Sequence, residues 1–127
     1  MTATEGATVR LTVPAQTRFA RVARMTTSSL VATWGADIDD VEDLRIAVDE
    51  LVTALVPTSS DGEIELTLVL SAGELRAEGS TAADSQPNLD QLTREIVSAV
   101  VDELVVELHG SGRARFEFRK RLVQPSS

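Results

Sequence analysis

Carboxylates, hydroxyls and guanidinium groups are the functional side chains that dominate this chain. Its 127 residues include no Cys and a single His, His109. Cysteine nucleophiles, disulfide frameworks and thiolate or His-cluster metal sites are thereby excluded, and no metal site is expected. A Ser-His-Asp triad would have to use His109, which the glycines that follow it place in a hairpin turn as a solvated residue. There is no Gly-Lys-Ser/Thr phosphate loop and no Gly-x-Gly-x-x-Gly. The acids from Asp37 to Asp43 lack EF-hand spacing and a loop glycine, so they read as a helix start with a solvated acidic face. Glu50, further along the same stretch, reads first as an acid on an exposed helix face. Arg18, Arg21 and Arg24 stand three apart and form a basic stripe beside the apolar face of another helix.

These groups must be positioned by a core, and the composition supplies one. Hydrophobic residues make up 43% and charged residues 25%, enough for one domain spanning 1–127, with a core over about 8–122 and short polar tails. Twenty acids against twelve bases give a net charge of −8, which argues against a nucleic-acid binder and against docking on anionic membrane. No apolar run reaches the roughly 18 residues of a membrane span. The N-terminus has no basic region ahead of an apolar stretch, so no signal peptide is expected and the cytoplasm is the expected location.

The pattern changes period along the chain. Val9, Leu11 and Val13 alternate with polar residues as in a strand, which Pro14 stops. From about Ala15, Phe19, Val22, Ala23, Leu30 and Trp34 fall on one helical face, closed by Gly35. Asp37, Asp39 and Asp40 offer N-caps, and Asp39 with Glu42 has capping-box spacing. Val41, Leu44, Val48, Leu51, Val52 and Leu55 make the stripe of a second helix that Pro57 ends. Strands follow over 63–70 and about 74–79, joined at Ser71-Ala72-Gly73. Residues 79–87 read as a loop, and Asn88 as the cap of a third helix with Leu89, Leu92, Ile96 and Val100 inward. Leu104, Val106 and Leu108 mark a strand, and Arg113 to Leu122 a final one, read as a charged edge strand guarded against aggregation. The alternatives for its basic residues are a contact to an acidic partner and an intermolecular sheet edge. The order predicts an α+β, two-layer α/β sandwich: one mixed sheet with helices on one face.

The string Leu44-Arg45-Ile46-Ala47-Val48-Asp49-Glu50 resembles the N-box helix of the histidine-kinase-like (GHKL, Bergerat-fold) ATPases. More narrowly it is similar to the anti-sigma-factor serine kinases, as are Phe19-Ala20-Arg21-Val22 and Val100-Val101-Asp102-Glu103-Leu104. The resemblance covers about residues 8–122 and implies the Bergerat fold. It implies that Glu50 stands where the family keeps its general base. It also implies that Arg18, Arg21 and Arg24 lie in the surface that grips sigma factors and STAS-type anti-anti-sigma proteins, and that a homodimer forms.

Three nucleotide contacts depart from the family pattern. The metal-holding Asn is Ala54 here, and a methyl group offers a hard cation no oxygen. The adenine-reading Asp-x-Gly-x-Gly is met only by Glu78-Gly79-Ser80-Thr81-Ala82. The phosphate-cradling glycines give way to Gln91-Leu92-Thr93. Each loss should cost about 1–3 kcal/mol, and about 1.4 kcal/mol is tenfold in affinity. The expected function is therefore anti-sigma-type regulation with an eroded ATP site, no bound cofactor and Glu50 vestigial. The alternatives are an active ATP- and magnesium-dependent serine/threonine kinase with Glu50 as base, and a non-transcriptional scaffold of the same fold.

Overall fold

The computed structural model describes residues 6–123. The expected polar tails at 1–7 and 124–127, and the expected absence of a signal peptide, fall wholly or partly on residues outside that range; Ala7 itself begins β1. The elements are β1 (Ala7–Pro14), α1 (Ala20–Trp34), α2 (Ile38–Leu55), β2 (Glu63–Ser71), β3 (Glu74–Ala82), α3 (Gln91–Val100), β4 (Glu103–His109) and β5 (Arg113–Arg121). The five strands lie in the order β1-β2-β3-β5-β4.

Every strand pairing is antiparallel, which corrects the expected mixed sheet. The cause is topological. Two helices, not one, connect β1 to β2, so the chain re-enters the sheet at the same end where β1 left it, with Glu63 beside Pro14. The single helix α3 does bring β4 back in the direction of β3, but β5 inserts between them and no parallel pair forms. The last strand is thus interior, not an edge as expected; β1 and β4 are the edges.

Strand alternation divides the sheet into a buried and a polar face. Ile64, Leu66, Leu68 and Leu70 of β2, Leu75 and Ala77 of β3, and Ala114, Phe116 and Phe118 of β5 face the helices and are buried. Gly79 belongs to that inner face because the Phe116 ring fills the space its side chain would take: a Cβ there would meet the ring at 2.3 Å. On the opposite face, Arg115 binds Glu78, Glu107 and Glu117 at 2.5, 2.6 and 2.7 Å. Two more basic residues of the last strand pair within the sheet: Arg119 lies 3.4 Å from Glu103 and Arg113 3.6 Å from Glu65.

The helices differ from their expected phases in three places. α1 starts later than Ala15, after a 3-10 turn over Thr17–Phe19. Its inner stripe is Ala20, Ala23, Thr27 and Val31, with Val22 41% exposed. Small residues on that stripe let α1 approach α2, and the Thr27 hydroxyl donates to the Ala23 carbonyl at 2.9 Å. Gly35, at φ 103°, closes α1 by donating to Val31 and Ala32. Of the offered caps for α2, Asp37 is used: its carboxylate accepts from the Asp40 amide at 2.9 Å. The buried stripe of α2 is Leu44, Ala47, Val48, Leu51, Val52 and Leu55, close to expectation.

β3 runs to Ala82, so the expected loop at 79–87 begins four residues late, at 83. Ser80, Thr81 and Ala82 read as loop residues in isolation, but β5 pairs with each of them. The cap of α3 is Asp90, not Asn88. That places Val97 inward and leaves Leu92 and Ile96 exposed, while Leu89 and Val100 pack at the margin of the core. His109 ends β4 in register with Arg113, not in the turn; the expected solvation of its side chain lies outside what is described.

Candidate functional site

Glu50 and Ala54 project from one face of α2, since residues four apart on a helix are neighbours. They line a groove of about 320 Å³ with Thr53, Pro57, Asn88, Leu89 and Thr93. Its walls are the C-terminal half of α2 and the segment that leads into α3. A smaller cavity of about 170 Å³ adjoins it through Glu50 and is lined by Arg24, Glu42, Arg45, Ile46 and Asp49.

Charge is unevenly matched across this pair of cavities. Arg24 on α1 meets Asp49 at 3.2 Å. Arg45 meets Glu42 at 2.9 Å. Glu50 is half-buried and has no ion-pair or hydrogen-bond partner among the described residues. The larger groove therefore carries one carboxylate and no Lys, Arg or Gly in its lining.

At the entrance to α3 the helix dipole is already used. The Asp90 carboxylate accepts from the Thr93 amide at 2.8 Å. That backbone hydrogen bond, with a further one from the Thr93 side chain, holds the Asp90 carboxyl below its ordinary value. A phosphate group drawn to the same amides would meet an anion in place.

Glu78 does not join Glu50 and Ala54. It points from the polar face of the sheet and binds Arg115. Alternation along β3 dictates this, since Ala77, Gly79 and Thr81 take the helix side. Burial alone would lower the Arg115 pKa, but hydrogen bonds with Glu107, Glu117 and Glu78 together raise it above its usual value. Gly79 is out of register with the family's glycines, whose positions hold Ser80 and Ala82, and the space at Gly79 is filled by the Phe116 ring.

Arg18, Arg21 and Arg24 do not form one free stripe. Arg18 and Arg21 are exposed at the start of α1, Arg18 with its guanidinium carbon 5.1 Å from the Phe19 ring centroid. Arg24 is tied to Asp49. Beside Arg18 and Arg21, which form no ion pair among the described residues, stand the exposed Val22 and Met25.

The sequence reading missed two polar clusters. The buried Thr81 hydroxyl donates to the Glu63 carbonyl at 2.7 Å and lies 2.7 Å from Ser59 Oγ. Lys120, at an inner-face position of β5, lies 3.6 Å from Asp40 and 3.3 Å from Asp43. Asp40 also accepts from the Val123 amide at 2.7 Å, fastening the end of the last strand to α2. A Lys in register with Phe116 and Phe118 was the available signal for that pair. Among the described residues no group of three His, Cys, Asp or Glu side chains is placed to hold a metal ion, and no helix is long and apolar enough to cross a membrane.

A five-stranded antiparallel sheet, helices on one face and a groove between the N-box-like helix and α3 define a histidine-kinase-like (GHKL) ATPase fold. Within that class the chain is homologous to RsbW-type anti-sigma-factor serine kinases. It is 41% identical over 54 residues to serine-protein kinase RsbW of Halalkalibacterium halodurans, a match covering 42% of this chain and 33% of that protein. Its structure matches the crystal structure of the RsbU and RsbW domains of Rv1364c from Mycobacterium tuberculosis with a TM-score of 0.78 and 26% identity. That match covers 94% of this chain and 34% of the other. The matched regions thus span about a third of the length of each relative. No protein-family model matches the sequence.

Proposed function

We propose that this protein is an anti-sigma-type regulator that works by holding a protein partner and has lost the nucleotide site of its fold. The partner class, a sigma factor or its STAS-type antagonist, follows from the RsbW likeness and the family resemblance of α1. The observation that carries the loss is the lining of the α2–α3 groove. It has a methyl group at Ala54, one unpaired carboxylate, and no cation or glycine amide to receive phosphates. These residues do not fit a magnesium nucleotide. Asp90 already occupies the start of α3.

Glu50 is therefore a carboxylate with no phosphoryl donor to serve. Phosphoryl transfer depends on positioning and charge neutralisation, and this groove supplies neither for a polyphosphate. Docking falls instead to the start of α1, where Arg18 and Arg21 present positive charge on an acidic protein. Arg24 supports that helix through Asp49 on α2. We place the protein in the cytoplasm, as a homodimer.

The test uses the purified protein and the purified sigma factors and STAS proteins of its source organism, mixed pairwise on a sizing column with light scattering. One such pair should form a complex without added nucleotide, and Arg21→Glu should weaken it by at least tenfold. No complex with any of them, or one that needs ATP, would contradict the proposal.

A further inference from the structure

We infer that the groove between α2 and α3 takes an alkyl cation, the guanidinium or ammonium end of an arginine- or lysine-like group. This rests on the reading that the groove no longer holds a nucleotide.

Three observations carry it. First, the electrostatics are those of a cation site. The lining holds Glu50 and no basic residue. Second, Glu50 is left over after local pairing. Arg45 and Arg24, which line the adjoining cavity, pair with Glu42 and Asp49, and neither bonds Glu50, although the buried Arg24 Nε has no hydrogen-bond partner. A half-buried carboxylate without a partner gains from a cation that brings its own hydrogen-bond donors. Third, the remaining walls suit an aliphatic stem. Ala54, Pro57 and Leu89 are apolar, while Thr53, Asn88 and Thr93 provide neutral oxygens for N–H donors. A volume of about 320 Å³ accommodates a side chain of four or so methylene groups with a planar head.

The same groove shape that would house a nucleotide thus has the opposite charge preference. The cation could arrive as a free small amine or as a side chain on a protein partner; its chemistry at Glu50 is the same.

The experiment is a two-dimensional amide NMR titration of the full chain with n-butylguanidinium, its neutral isostere n-butylurea, and the capped tripeptide acetyl-Gly-Arg-Gly-amide. With n-butylguanidinium, the amides of Glu50, Ala54, Leu89 and Thr93 should shift and saturate. The urea should bind at least about fivefold more weakly, the scale of a partly exposed ion pair. Glu50→Gln should remove that difference. Tripeptide binding as tight as butylguanidinium assigns the cation to a protein side chain, and failure of the tripeptide alone assigns it to a small amine. Equal binding of the cation and the urea to the unaltered protein overturns the inference, as does the absence of shifts in the groove. A parallel titration with magnesium ATP separates the two readings. Micromolar nucleotide binding in the groove overturns the proposed function and this inference together, whereas silence towards both ligands overturns this inference alone.

Discussion

At Glu50 and Ala54, two side chains on one turn of α2 decide what the groove can recognise. A carboxamide at position 54 would offer an oxygen to a metal; a methyl group offers only contact area. The carboxylate at 50 has no ion-pair partner among the described residues. Gly79 has a packing role. Its missing side chain serves the Phe116 ring, which sits where a Cβ would lie at 2.3 Å. Gly79→Ala should therefore overpack the core and destabilise the protein by about 1–3 kcal/mol, measured by urea unfolding. If stability is unchanged, the glycine is not kept for packing. Asp90 gives a prediction in pH. Its carboxyl is held below its ordinary value by the Thr93 amide, so its capping contribution is complete above the usual carboxylate range and is lost as pH falls through the lowered value. The Thr93 amide resonance should move at a pH lower than that of an unperturbed Asp, and Asp90→Asn should abolish that titration.

Among the elements, β5 and α3 show best what the sequence could and could not disclose. α2 was readable because stripe, cap and stop residue all agreed: Asp37 begins it, Leu44 to Leu55 are buried as spaced, and Pro57 ends it. β5 was readable as a strand but not as an interior one, because the position of a strand in a sheet depends on partners far away in sequence. Its alternating charges resembled an edge until Glu78 and Glu107 supplied counter-charges from both sides. α3 was readable as a helix, but its phase was not. With Asp90 as cap, Val97 turns inward and Leu92 and Ile96 outward, a choice set by packing on α2 that no local spacing announces. The groove was half legible. The spacing from Glu50 to Ala54 is a property of one helix, whereas Asn88, Leu89 and Thr93 reach it only through the fold.

The clamp between β5 and α2 is an element-level device that yields its own prediction. Lys120 and Asp40 are both largely buried, and Asp43 completes the pairing. Removing one partner of such a pair leaves an uncompensated buried charge. Lys120→Met should destabilise the protein by about 3 kcal/mol in urea unfolding. The double variant Lys120→Met with Asp40→Leu should recover part of that loss. An unchanged midpoint for Lys120→Met would show that the pair is solvated in solution.

At the scale of the molecule, charge is sorted by element. The net charge is −8, yet residues 15–36 contain no Asp or Glu and three Arg. The acids instead begin α2, where Asp37, Asp39, Asp40, Glu42 and Asp43 follow closely. This separation gives the protein a positive face at α1 beside a negative one at α2, an arrangement suited to steering an oriented partner. Under the proposed function, α1 is the surface for protein recognition and the α2–α3 groove no longer serves a nucleotide. An isothermal calorimetric titration of the purified protein with ATP and ADP, with and without magnesium, tests that claim most directly. No saturable binding is expected at millimolar nucleotide, in either the native protein or Ala54→Asn. Saturable, magnesium-dependent binding by the native protein at micromolar concentration would contradict it and restore a working kinase site around Glu50.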